Sequence, residues 1–246
     1  MKNFLILLAF TILFSCTDNT TLEVYDKDQV PAEITVKGFS KPDIIQMRLN
    51  GQPVSVNGAT SYTDKIETKI NFVLDNGETD ELGIYNYQTG TKIAAYSINY
   101  TNANDYKNLY FFNLPGIFLQ TYAVKPQVNL GKVGFEFIFP NLGEFSGSNL
   151  QGVKGVLKRE NGVVLAEFDN IGKKDFTSVK IYNYFSATAP VYLELYKPGT
   201  TEPYTGSSVI KATIKQDIGA NMIVIQEKME NGVLVIKGDL DVADYL

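Results

Sequence analysis

The sequence predicts an all-β protein, built as two immunoglobulin-like β-sandwiches in tandem. Three observations predict it. Five Asn-Gly pairs punctuate the chain, at Asn50-Gly51, Asn57-Gly58, Asn76-Gly77, Asn161-Gly162 and Asn231-Gly232. Asn-Gly tolerates the positive φ that a tight hairpin turn requires at both central residues, so such pairs mark hairpins. The segments between them are rich in β-branched and aromatic residues and alternate with period two, while none carries a capped apolar stripe of helical period.

Taken in order, Ile34–Val36 starts the folded part after a polar lead, and Ile44–Leu49 runs into Asn50-Gly51. Ile66, Thr68, Ile70, Phe72 and Leu74 fall on one face of a strand. Leu82–Tyr87, Lys92–Tyr100 and Leu109–Leu114 follow. After Pro126, the residues Val133, Phe135, Phe137 and Phe139 alternate with Gly134, Glu136 and Ile138. Val163–Phe168, Val179–Tyr184, Val191–Tyr196, Val209–Ile214, Met222–Gln226 and Val233–Ile236 complete about thirteen strands, a spacing expected of sandwiches rather than of βαβ units.

A repeat suggests where to divide them. The string Ile84-Tyr85-Asn86-Tyr87 recurs as Ile181-Tyr182-Asn183-Tyr184, each preceded by an acidic turn. The offset is about a hundred residues, the size of one sandwich. The expected division is 1–15 leader, 16–30 tether, 31–124 first sandwich and 125–246 second, with Lys125-Pro126-Gln127 as linker; one continuous large sandwich is the alternative.

The leader and the cysteine that follows it span Met1–Cys16. Lys2 supplies a positive start, Phe4–Phe14 an apolar core, and Ser15 a small residue before the lone cysteine, Cys16. Its uncharged run of about 15 residues reaches roughly 22 Å as a helix, short of the ~20 residues a bilayer core needs. Leu13-Phe14-Ser15-Cys16 resembles the lipobox of bacterial lipoproteins, although Phe14 stands where a small residue is commoner. The resemblance implies lipidation of Cys16, with palmitate-type acyl chains, and cleavage before it. Thr17-Asp18-Asn19-Thr20-Thr21 then resembles the tether and surface-export signal of Bacteroidetes lipoproteins, which implies an outer-membrane protein facing the cell exterior.

Composition narrows the function. The formal charge is −5, and loss of Lys2 with the leader makes the rest more negative still. Nucleic-acid binding wants a basic stripe, so no nucleic-acid partner is expected. The chain has no histidine, which removes Ser–His and Cys–His catalysis and imidazole metal sites. It has no tryptophan but 15 tyrosines, so a glycan-binding face would stack sugars on tyrosine.

Candidate sites are few. Asp75-Asn76-Gly77-Glu78-Thr79-Asp80-Glu81 packs four carboxylates together. It reads as a calcium loop or as a solvated turn, and its spacing does not fit an EF-hand. Tyr85, Tyr87, Tyr96 and Tyr100, and then Tyr182, Tyr184, Tyr192 and Tyr196, could form a binding stripe or pack at sandwich rims. The tail Gly238-Asp239-Leu240-Asp241-Val242-Ala243-Asp244-Tyr245-Leu246 alternates acid with apolar and reads as a last edge strand or a loose terminus. Ser146-Gly147-Ser148 is no nucleophile elbow. No catalytic residue, metal site or cofactor is assigned, and the chain is expected not to be an enzyme. The first expectation is a lipid-anchored, non-catalytic binding module for a glycan or an outer-membrane protein partner. A pilus-type or envelope-assembly subunit working by strand addition comes second, and a carboxylate-dependent hydrolase third.

Overall fold

The computed structural model describes residues 28–184 and 190–246; Cys16 and the leader lie outside them. The described chain is all-β, in two successive sheet systems, as the sequence predicts.

The first system holds β1 (Gln29–Leu49), β2 (Gln52–Pro53), β3 (Tyr62–Asp75), β4 (Thr79–Asn86), β5 (Lys92–Asn99), β6 (Asn108–Leu114) and β7 (Ile117–Leu119). Its organising strand is β1, which joins the two segments that read separately in the sequence. Residues 29–40 of β1 pair with β3, antiparallel, and residues 35–40 pair on their other flank with β6, parallel. Residues 45–49 pair instead with β4. The register against β3 shifts between Ser40 and Ile45. A buried polar knot holds this bulge: Asn113 Nδ2 donates to Ser40 Oγ at 2.9 Å, and that hydroxyl donates to the Asp43 carbonyl at 2.6 Å. One strand therefore serves both leaves of the sandwich. Between them Ile34, Val36, Ile66, Ile70, Leu74, Leu109 and Phe111 meet Ile45, Met47, Leu82, Ile84 and Ile98 in one core. Gly38 makes room in it, since a methyl there would sit 2.6 Å from the Phe111 ring.

The second system holds β8 (Lys132–Ile138), β9 (Gly152–Arg159), β10 (Val164–Gly172), β11 (Lys180–Asn183), β12 (Val191–Tyr196), β13 (Lys211–Ile214), β14 (Gly219–Glu230) and β15 (Val233–Asp241). Their order is β10-β9-β12-β13-β15-β14-β8-β11. The alternation read in β8 is real: Val133, Phe135, Phe137 and Phe139 are fully buried and meet Val153, Leu157, Phe168, Leu193 and Ile225 in a second core.

Two expectations are corrected. β15 is not an edge strand and the terminus is not loose. β15 lies between β13 and β14, and it runs into a 3-10 helix, Val242–Tyr245, whose Val242 and Ala243 are buried. Asp241 caps that helix, accepting from the Ala243 N–H and from the Met222 N–H at 2.8 Å each. The two Ile-Tyr-Asn-Tyr strings are not equivalent. Ile84 is buried on β4, inside a sheet, whereas Ile181 is exposed on β11, an edge strand, and Tyr182 faces the core instead. A one-residue change of face inverts every side chain.

A third apolar cluster joins the two systems. Phe39, Phe112, Leu114 and Leu119 from the first pack with Ile138, Met222, Val224, Val242 and Ala243 from the second. Lys125 Nζ, from the connecting segment, donates to the Ala243 carbonyl at 2.7 Å.

Candidate aromatic cleft at the domain junction

The outer face of β3, β1 and β6 carries two side-chain rows fixed by register. Glu67, Lys37 and Tyr110 lie side by side, and two residues along come Lys65, Phe39 and Phe112. The second row sinks into the junction: Phe39 and Phe112 are buried, and the Tyr245 ring stacks on Phe39. The first row stays open. Tyr122, from the connecting segment, tilts over Tyr110 with centroids 4.5 Å apart and an interplanar angle of 58°. Tyr122 is 61% exposed, so most of its ring faces solvent.

Between these elements lies a cleft of about 160 Å³, floored by Gly38 and Phe39 and walled by Tyr110, Tyr122, Glu67 and Tyr245. Its volume suits one pyranose-sized ring. Lys37 Nζ and Glu67 Oε1 are 2.8 Å apart at its mouth. Their hydrogen bond and mutual charge raise the Lys37 pKa and lower that of Glu67, so both are ionised at neutral pH. The cleft thus offers aromatic faces beside a cation and an anion, an apolar and polar combination suited to a small polyhydroxylated ring.

The sequence-derived candidates fall elsewhere. The acidic hairpin spreads its carboxylates over separate partners: Asp75 accepts from Gln29 Nε2 at 2.7 Å, Asp80 from Asn50 Nδ2 at 2.6 Å, and Glu81 pairs with Lys92. The tyrosines do not form a stripe. Arg48 lies 4.4 Å over the Tyr85 ring, Tyr96 is buried, and Tyr87 and Tyr100 are exposed. Tyr182 donates to Gln216 Oε1 at 3.1 Å beside the second core, and Tyr196 donates to Glu194. Sequence reading missed Tyr110 and Tyr122 because one sits in an apolar run and the other in a linker. Only the β1–β6 register and the path of the connecting segment bring them together.

Two deep carboxylates were also missed. Glu227 is fully buried. It accepts from the N–H groups of Gly143, Phe145 and Ser146 at 2.9, 2.7 and 2.9 Å, from Ser146 Oγ at 2.6 Å and from Tyr204 at 3.2 Å. Burial works to raise its pKa, but these donors hold it below the ordinary carboxylate range. Ser146 therefore helps anchor a loop. Glu194 on β12 is likewise buried; Lys158, Tyr196 and Lys211 outweigh that burial and bring its pKa down to about 2. Glu136 differs. It lies on the outer face of β8 beside Met222, and burial alone pushes its pKa up to about 7.

No protein-family model matches the chain, and no curated protein does. Among solved structures it is similar to a family 26 carbohydrate-binding module from Eubacterium rectale, in complex with maltoheptaose. That pair is 10% identical, with 84% of this chain and 94% of that chain covered and a TM-score of 0.23. It is also similar to the shaft pilin SpaA of Lactobacillus rhamnosus GG, at 8% identity, 86% and 99% coverage and a TM-score of 0.21. At this level the likenesses match no residue here to a residue there.

Proposed function

We propose that the chain is a non-catalytic binding protein, lipid-anchored through Cys16 to the bacterial outer membrane, that captures a glycan in the aromatic cleft at its domain junction. The observation that carries this reading is the Tyr110–Tyr122 pair opening beside the Lys37–Glu67 ion pair. A sugar ring stacks its C–H face on the exposed Tyr122 ring, and its hydroxyls exchange hydrogen bonds with Lys37 and Glu67. The deep carboxylates support a binding role rather than hydrolysis, because Glu227 and Glu194 are committed to holding a loop and a sheet face.

The test is a glycan array probed with the full-length protein in detergent, followed by calorimetric titration of each hit. Tyr122→Ala is expected to weaken binding at least tenfold. Retention of the same glycan at unchanged affinity by that variant, or an array without hits, removes the reading. Incorporation of a labelled fatty acid, lost in Cys16→Ala, tests the anchor, and protease shaving of intact cells tests outward exposure.

A further inference from the structure

Among the described residues, β3 pairs with β1 alone, in a register that runs unbroken from Gln29↔Asp75 to Ser40↔Asp64. Its other flank is open. The remaining sheet margins are shorter or irregular: β7 has three residues, β11 has four, and β5 and β10 shift register against their neighbours. A long regular edge is a template for a further strand.

The Thr35 N–H donates to the Lys107 carbonyl at 2.9 Å, on the β6 side, and the Asp28 carbonyl accepts from the Asn76 N–H at 2.8 Å, on the β3 side. Main-chain groups alternate sides along a strand, so Thr68 and its even-numbered neighbours turn theirs to β1. Lys65, Glu67, Lys69 and Asn71 turn theirs to the open flank. Their side chains stand exposed on the outer face, while Ile66, Thr68 and Ile70 are buried on the inner one. Asp64, at a φ of +55°, ends the regular run. Thr68 is only 8% exposed, and its hydroxyl has no hydrogen-bond partner. A buried hydroxyl left unpaired is costly, and most find a partner.

We propose that the open edge of β3 is a homodimer interface, where β3 of a second copy of this chain pairs antiparallel about a twofold axis at Thr68. Register and charge select that axis, since open-flank residues must face one another. An axis at Glu67 or Lys69 sets that residue against its own like charge. An axis at Ile66 pairs only residues 65–67 before Asp64 interrupts, and one at Ile70 sets Glu67 against Val73. An axis at Thr68 sets Glu67 opposite Lys69 and Lys65 opposite Asn71, twice over, along residues 65–71. The outer face then reads Lys37, Glu67, Lys69 of the second copy and Glu33 of the second copy, alternating in sign. It extends the existing Lys37–Glu67 and Lys69–Glu33 pairs, at 2.8 and 2.9 Å, instead of breaking them. On the inner face Ile66 meets Ile70 of the second copy. The two Thr68 residues form a non-hydrogen-bonded pair, the closer kind, so each hydroxyl gains the other as its partner. The dimer does not rest on the glycan reading, and its test reads assembly instead of sugar.

Sedimentation of the full-length protein in detergent is expected to show a monomer–dimer equilibrium, with slower amide hydrogen exchange in 65–71 as the dimer fills. Glu67→Lys and Lys69→Glu each set like charges across the axis, so each alone is expected to weaken self-association at least tenfold. An equimolar mixture of the two is expected to restore it, because opposite signs then face each other. Cys16 is the only cysteine of the chain, so Cys16→Ala/Thr68→Cys carries a single thiol on the axis. That variant is expected to oxidise to a covalent dimer, whereas Cys16→Ala/Asn71→Cys, whose thiol would face Lys65, is expected to stay single. A monomer at every concentration overturns the proposal. So does an association that the charge reversals leave unchanged, a mixture that restores nothing, or a disulfide formed as readily from Asn71→Cys as from Thr68→Cys.

Discussion

Phe39 and Tyr245 stack with ring centroids 4.3 Å apart and an interplanar angle of 28°, joining the first strand of the described chain to its last turn. The contact closes the junction cluster and forms one end of the aromatic cleft. Truncating Phe39 to Ala is expected to cost about 3–5 kcal/mol, the range for a buried aromatic. Chemical denaturation should then resolve two transitions where the wild type shows one, and a protease should cut the 120–131 segment faster. A single transition with unchanged midpoint would mean that the cluster does not couple the sandwiches.

Glu227→Gln keeps the volume but replaces one acceptor oxygen with a donor facing N–H groups. The cost is expected to be about 2–3 kcal/mol, and about 3–5 kcal/mol for Glu227→Ala, which leaves the loop donors without an acceptor. Hydrogen exchange should rise in 141–148 in both variants. Differential scanning calorimetry with exchange on that loop checks it.

Gly38→Ala would drive a methyl against the Phe111 ring in the centre of the first core. Overpacking of this kind costs about 1–3 kcal/mol. Gly143→Ala combines a φ of +88° with a clash at the Ser148 carbonyl, and it should destabilise more than Gly38→Ala does. Unfolding midpoints of the two variants provide the comparison.

Stability should depend on pH through Glu136. Its folded pKa is raised to about 7, so between the ordinary carboxylate range and pH 7 the folded state binds more protons than the unfolded chain. Stability from this group is therefore full at low pH and lost as pH rises through 7. Glu136→Gln is expected to melt higher than the wild type at pH 8 and to match it near pH 5. Identical melting differences at both pH values would show that the site is well solvated.

Tyr122→Ala should leave the melting temperature within a degree or two while reducing glycan affinity, because its ring is largely in solvent and surface changes cost within about ±0.5 kcal/mol. Lys37→Ala should behave the same way, since exposed ion pairs are worth about 0–1 kcal/mol. A large loss of stability in either would assign the residue to the junction instead.

Local pattern carried most of the fold. Ile66, Ile70 and Leu74 on β3, and Val133, Phe135 and Phe137 on β8, were legible as core because a half-buried strand alternates with period two. The Asn-Gly turns were legible too: Asn50, Asn57 and Asn231 hold positive φ, as do the glycines that follow them. What was not legible depends on partners remote in sequence. Nothing in Ile34–Val36 and Ile44–Leu49 reveals that they are one strand changing neighbours at Ser40. Glu227 reads as a surface charge until the 141–148 loop folds over it. The cleft is illegible for the same reason, since Tyr110 and Tyr122 acquire a common face only from the β1–β6 register.

β1 also fixes how the molecule bears load. A pull delivered at Gln29 travels along a strand held on one flank by β3 and on the other by β6, and its far half is gripped by β4. The ladder bonds lie across the pulling direction, so they must slide and break together instead of unzipping one by one. The N-terminal end of the described chain is thus the end built to resist shear, and the first sandwich acts as a mechanical clamp for a load that enters at Gln29.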